Sequence, residues 1–199
     1  MANQKPSTLF KKEKVSVEKV AQIRSSENWM GLAAALKELC VLRTSISTLA
    51  KNGKRVQIVE SFENEDALYG GGRYLVRPPL VGRDAGLIHH ALREKGHCAL
   101  VLCREPSTSL GLCPIVALGS GVMVRIQIEE PKNPQKPTCA WFDHALEELG
   151  DHVLSKLNPE STTKRQLDYL LAHLPAVSTC TCVYSAGVEL CRTLCDEDK

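Results

Sequence analysis

The residues of this chain best suited to chemistry are its nine cysteines, at positions 40, 98, 103, 113, 139, 180, 182, 191 and 195. The last four are spaced Cys180-x-Cys182-x8-Cys191-x3-Cys195, and four thiolates can close a tetrahedral zinc site. A C-x-C pair bites more tightly than the two-residue spacing of structural zinc sites, and no glycine knuckle flanks it. Ordinary, partly buried thiols are therefore the competing and preferred reading. Cys139, followed by Trp141 and His144, suggests a second chemistry, because a thiolate at a helix N-terminus is favoured by the dipole and activated by a histidine. His144 lies five residues on, a poor spacing for a shared helix face, so a helix start with a buried tryptophan is the simpler expectation. His89, His90 and His97, near Cys98 and Cys103, form a third group that reads as surface or satisfied core histidines.

Glycine-rich phosphate cradles are absent in function if not in composition. Gly70, Gly71 and Gly72 lack a strand-to-helix context with a following Lys-Ser or Lys-Thr, and Gly119, Ser120 and Gly121 lead into a strand. No HExxH, GxSxG or paired-carboxylate pattern stands out, which disfavours an enzyme. Arg73, Arg77 and Arg83 border a short apolar run at Tyr74. Guanidinium forks on a sheet rim can hold phosphate through two parallel hydrogen bonds; the plainer alternative is that they solvate the strand ends.

The elements that must position these groups fit within 199 residues, enough for one domain with its own core. Hydrophobic residues at 43% and charged residues at 24% predict a folded chain. Aromatics at 5% predict a core filled by Leu, Val, Ile and Ala, and disfavour base-stacking platforms. The net charge of +2 hides an asymmetry: Lys5, Lys11, Lys12 and Lys14 surround a single acid, Glu13, near the start, while Asp196, Glu197 and Asp198 lie near the end. Both ends read as solvated tails, the first a basic flexible arm over residues 1–15. Neither a membrane-spanning run nor a signal peptide is visible, so a nuclear or cytoplasmic, reducing location is expected, with no membrane partner.

Periodicity predicts a short helix around Val17, Val20, Ala21 and Ile23, and a stronger one over 29–51 with an apolar stripe of Leu32, Leu36, Leu39, Leu42, Ile46 and Leu49. Strands are expected at 56–61, 74–76, 98–103, 113–118 and 122–128, with a helix over 84–95 capped by Asp84. The runs at 98–103 and 113–118 read as adjacent antiparallel strands. Pro131, Pro134 and Pro137 mark an exit from the sheet toward helices over 139–157 and 162–174. One mixed domain over 16–177 follows, helical over 16–52 and 139–174 and β-rich over 56–128. A cysteine-rich tail, 178–199, is left between a strand at 179–184 and irregular structure. The fold class expected is α+β, with a mainly antiparallel sheet or partly closed barrel flanked by helices.

Residues 74–128, with two prolines, a helix containing His89, His90, Ala91 and Leu92, and the run 99–106 ending in Cys103, Arg104, Glu105 and Pro106, resemble the β-barrel of the Ku family and of the related SPOC domain. The resemblance implies binding without catalysis: Ku proteins hold DNA ends through the backbone, and SPOC domains hold partner peptides, often phosphorylated, on a basic patch. Arg73, Tyr74, Arg77 and Arg104 would then form the patch; apart from the resemblance, Arg83 at the strand rim and Lys11, Lys12 and Lys14 of the basic start are further candidate binding cations. The expectation is a non-enzymatic module that binds a partner protein, through a phosphorylated or acidic segment, or a DNA backbone. The alternative is a small cysteine-dependent enzyme or a zinc-binding regulatory protein.

Overall fold

A computed structural model describes residues 5–61, 68, 70–106 and 112–198. The acidic segment 63–66 and most of the 105–111 turn lie outside the described residues. The chain is α+β: among the described residues, six helices surround a five-stranded sheet.

The first helix, α1 (Pro6–Ser25), begins with proline at a position that needs no amide donor. Its inner stripe is Leu9, Glu13, Ser16 and Val20, all buried. Of the flexible arm expected over residues 1–15, the described part from Pro6 onward is helix instead. Half of the stripe is polar, so apolar periodicity alone begins only at Val17. The second helix, α2 (Trp29–Lys51), has the expected bounds, and the Asn28 side chain caps it by accepting from the Gly31 amide at 2.9 Å.

Strands β1 (Val56–Val59) and β2 (Gly72–Val76) pair in parallel, and helix α3 (Gly82–Glu94) carries the chain back so that β3 (Ala99–Arg104) is also parallel to β2. A helical crossover between neighbouring strands returns them in the same direction. Asp84 stands in the first turn of α3 and accepts from the Val81 amide at 2.8 Å, a capping role at the third helical position. Strands β4 (Leu112–Gly119) and β5 (Val122–Glu129) complete an antiparallel meander from β3. The order is β1-β2-β3-β4-β5, so the sheet is mixed and open where an antiparallel sheet or partly closed barrel was expected.

Helix α3 covers one face of the sheet through Tyr74, Val76, Ile88, Leu92, Cys103 and Val116. The other face, with Leu75, Leu100, Leu102, Ile115, Val124 and Ile126, belongs to the larger core under α2 and the C-terminal helices. Those are α4 (Cys139–Ser155), α5 (Thr163–His173) and α6 (Thr181–Glu197). Thr138 and Thr162 cap the first two with their hydroxyls. Helix α6 replaces the strand or irregular tail expected beyond 178. Val183, Tyr184, Val188, Cys191 and Leu194 recur at helical steps along its buried face. Gly187 allows close approach to α2, since a Cβ there would sit 3.3 Å from Leu36 Cδ1.

Glu13, the lone acid of the lysine-rich start, ties these layers together. It is 7% exposed and accepts from Arg43 Nε of α2 at 2.8 Å and from an Arg93 terminal nitrogen of α3 at 2.7 Å. Arg43 also donates to the Leu174 carbonyl at 3.2 Å and the Tyr184 hydroxyl at 2.8 Å. Arg93 lies over the Phe10 ring, 4.4 Å from its centroid. Burial, and then the Arg93 charge, push the His89 imidazole down to about 4. The unfolded chain therefore takes up a proton at His89 as pH falls below its ordinary 6.5, and the folded chain does so only near 4. Stability should fall by up to about 3 kcal/mol as pH drops from 6.5 to 4, with no contribution above that window. In His89→Gln, denaturant melts across this range should show a flatter dependence; an unchanged slope would remove His89 as its source.

Candidate partner-binding edge

The expected cationic set divides in two. Arg73 is 5% exposed and its guanidinium meets the Asp143 carboxylate at 2.9 and 2.7 Å. It also donates to the Lys51 and Gly53 carbonyls at 3.0 and 2.9 Å, closing the C-terminal end of α2. Arg77 is 8% exposed and donates to the Pro134 carbonyl at 2.8 Å and to Gln135, with Glu60 at 2.9 Å. It thereby pins the proline-rich segment against the end of β1. Arg104 pairs with Glu130. Tyr74 is buried, and its hydroxyl donates to the Gly70 carbonyl at 2.8 Å. These four side chains are engaged inside the fold. Arg83 on α3, and Lys11, Lys12 and Lys14 on α1, stand exposed.

The cysteines are separated as decisively. Cys182 and Cys191 lie on one helix, and nine residues of α-helix span about 13 Å. The set Cys180, Cys182, Cys191 and Cys195 is therefore not brought together around one ion. Among the described residues, no group of three or more His, Cys, Asp or Glu side chains is placed to hold a metal. Burial pushes the Cys103 and Cys191 thiols up to about 11 and Cys180 up to about 12, so they stay protonated. His144 faces Glu148 at 3.7 Å, one helical turn on.

What the cationic reading missed is a sheet edge. Strand β5 pairs with β4 from Leu112↔Glu129 to Gly119↔Val122, and only Ser120 and Gly121 separate the two strands. In a hairpin with a two-residue loop, the flanking pair exchanges both backbone bonds, and every second pair along the ladder repeats this. Val122, Val124, Ile126 and Ile128 thus bond inward to β4, while Met123, Arg125, Gln127 and Glu129 aim their amides and carbonyls outward. Two observations fix this parity. Pro114, which lacks an amide, sits opposite Gln127 where no bond to β5 is required. The Trp141 indole donates to the outward Glu129 carbonyl at 3.0 Å. Among the described residues, no strand or side chain takes the outward groups of Met123, Arg125 and Gln127.

Beside this edge lies a groove of about 550 Å³, lined by Arg125, Ile126 and Gln127 of β5 and by Glu148, Asp151, His152 and Ser155 of α4. Their spacing places the last four on one helix face. The Arg125 side chain is drawn to Glu105, 2.6 Å away. A second hollow, about 450 Å³, lies between α2, α4 and the start of α6, and includes Thr44, Thr48, Thr179, Cys180 and Cys182.

No family model, curated protein or solved structure matches this chain. No helix among the described residues is long and apolar enough to cross a membrane.

Proposed function

We propose that this chain is a non-enzymatic interaction module, which binds a partner protein by accepting an extended segment as a sixth strand on the free edge of β5. The observation carrying this reading is the row of outward backbone groups at Met123, Arg125 and Gln127, flanked by a groove able to receive alternate side chains. An exposed strand edge is a template for pairing, and modules that exploit it gain affinity from main-chain bonds and specificity from neighbouring pockets. The protonated, buried thiols of Cys103, Cys180 and Cys191 weigh against those three as nucleophiles.

The test uses a capped ten-residue peptide of alternating lysine and valine, followed by fluorescence anisotropy. Gln127→Pro removes an outward donor at an edge position where proline is tolerated, so folding should survive while affinity falls at least tenfold. Methylating alternate backbone nitrogens of the peptide should abolish binding to the unchanged protein. Equal affinity in both experiments would overturn strand addition.

A further inference from the structure

The groove beside β5 also specifies the chemistry of the segment that would lie there, and this inference rests on the strand-addition reading. A strand paired with β5 projects every second side chain toward the face of α4 that carries Glu148 and Asp151. Among the described residues, exposed Asp151 has no ion-pair partner and Glu148 has only the 3.7 Å contact with His144. Arg125, whose positive charge could offset these acids, is held by Glu105.

We infer that the β5–α4 groove accepts a basic extended segment of a partner protein, whose Lys or Arg side chains at alternate positions pair with Glu148 and Asp151. A second copy of this chain fits less well. Two β5 strands paired antiparallel about a two-fold axis would form one continuous sheet, and that axis stands perpendicular to the sheet. Both α4 helices would then lie on the same face, with Glu148 and Asp151 of each copy facing the other's acids across the seam. Like charges so placed disfavour the pairing. An acidic or phosphorylated segment meets the same repulsion.

The experiment compares three capped peptides that differ at the same alternate positions, carrying lysine, glutamine or glutamate between valines. Each is titrated into the full chain while the amide resonances of β5 are followed by NMR. The lysine peptide should bind about tenfold more tightly than the glutamine peptide, the sum expected of two partly exposed ion pairs. The glutamate peptide should bind most weakly, and raising salt should erase the differences. Glu148→Gln combined with Asp151→Asn should bring the lysine and glutamine affinities together. Equal binding of lysine and glutamine peptides, with β5 amides shifting in both, would overturn the basic-segment inference and leave strand addition standing. Failure of every peptide to shift the β5 amides would overturn strand addition itself. A concentration-dependent dimer of the unliganded chain, with β5 amides shifted, would overturn the inference in favour of a second copy.

Discussion

Glu13→Ala should lower the stability of the fold by about 3–5 kcal/mol, an effect out of proportion to the removal of one carboxylate from a lysine-rich helix. Burial alone would raise the Glu13 pKa, but the Arg43 and Arg93 guanidinium groups outweigh it and hold the carboxyl below its ordinary range. The carboxylate is therefore charged in the fold at neutral pH. Its removal leaves Arg43, whose side chain is 10% exposed, with a buried charge answered, among the described residues, only by the Leu174 carbonyl and the Tyr184 hydroxyl. Arg93 is 30% exposed and can rehydrate, so most of the cost falls on Arg43. Acid should reproduce part of this loss: a carboxyl with a depressed pKa contributes stability above its unfolded value of 4.5 and loses it as pH falls through the folded value. Combining Glu13→Ala with Arg43→Met should cost less than the sum of the two single changes, because the second removes the stranded charge. Urea melts of the four proteins measure this coupling. Strict additivity would show that Glu13 and Arg43 do not stabilise the fold as a pair.

Arg73→Ala should have the next largest effect, a loss of about 3 kcal/mol. The guanidinium joins three elements, reaching from β2 to Asp143 on α4 and to two carbonyls at the end of α2. Alanine would leave those carbonyls without their donor and Asp143 without its two-pronged partner, although Asp143 is exposed enough to regain water. Arg73→Lys should recover little, because an ammonium cannot span a carboxylate and two carbonyls as a planar fork does. Arg83→Ala, at an exposed site, should change stability by no more than about 0.5 kcal/mol. Chemical denaturation of the three variants separates an arginine built into the fold from one available to a ligand. An Arg73→Ala protein as stable as the parent would return that residue to the surface patch.

Much of the architecture could be read from the chain. The α2 stripe, the alternation along β5 and the antiparallel turn of β3 into β4 each follow from spacing that one dominant periodicity controls. Only the second half of helix α1 follows from apolar spacing, because its buried stripe is half polar: Glu13 and Ser16 occupy positions where periodicity looks for apolar residues, and only its partners on α2 and α3 explain Glu13. Helix α6 was obscured by its cysteines, whose spacing drew attention from Val183, Val188 and Leu194 on the same face. The parallel pairing of β2 with β3 was signalled by the intervening helix but was overshadowed by the clearer hairpin-like signal that follows it.

The candidate site was legible in part. Alternation from Val122 to Ile128 showed that one face of the strand is buried, and Pro131, Pro134 and Pro137 showed that the chain then leaves the sheet. Whether another strand comes back to cover β5 depends on the whole topology, which no local pattern contains. The arginines misled for a related reason: a guanidinium beside a strand looks the same in sequence whether it faces solvent or a carboxylate seventy positions away, as Arg73 does with Asp143.

The free edge of β5 is tested most directly by amide hydrogen exchange in the unmodified chain, with and without the lysine–valine peptide. In the free protein, the amides of Met123, Arg125 and Gln127 should exchange far faster than those of Val124 and Ile126, which already bond to β4. Saturating peptide should slow the first group at least tenfold and leave the second nearly unchanged. Protection of Met123, Arg125 and Gln127 before peptide is added, or no added protection at saturation, would contradict the account.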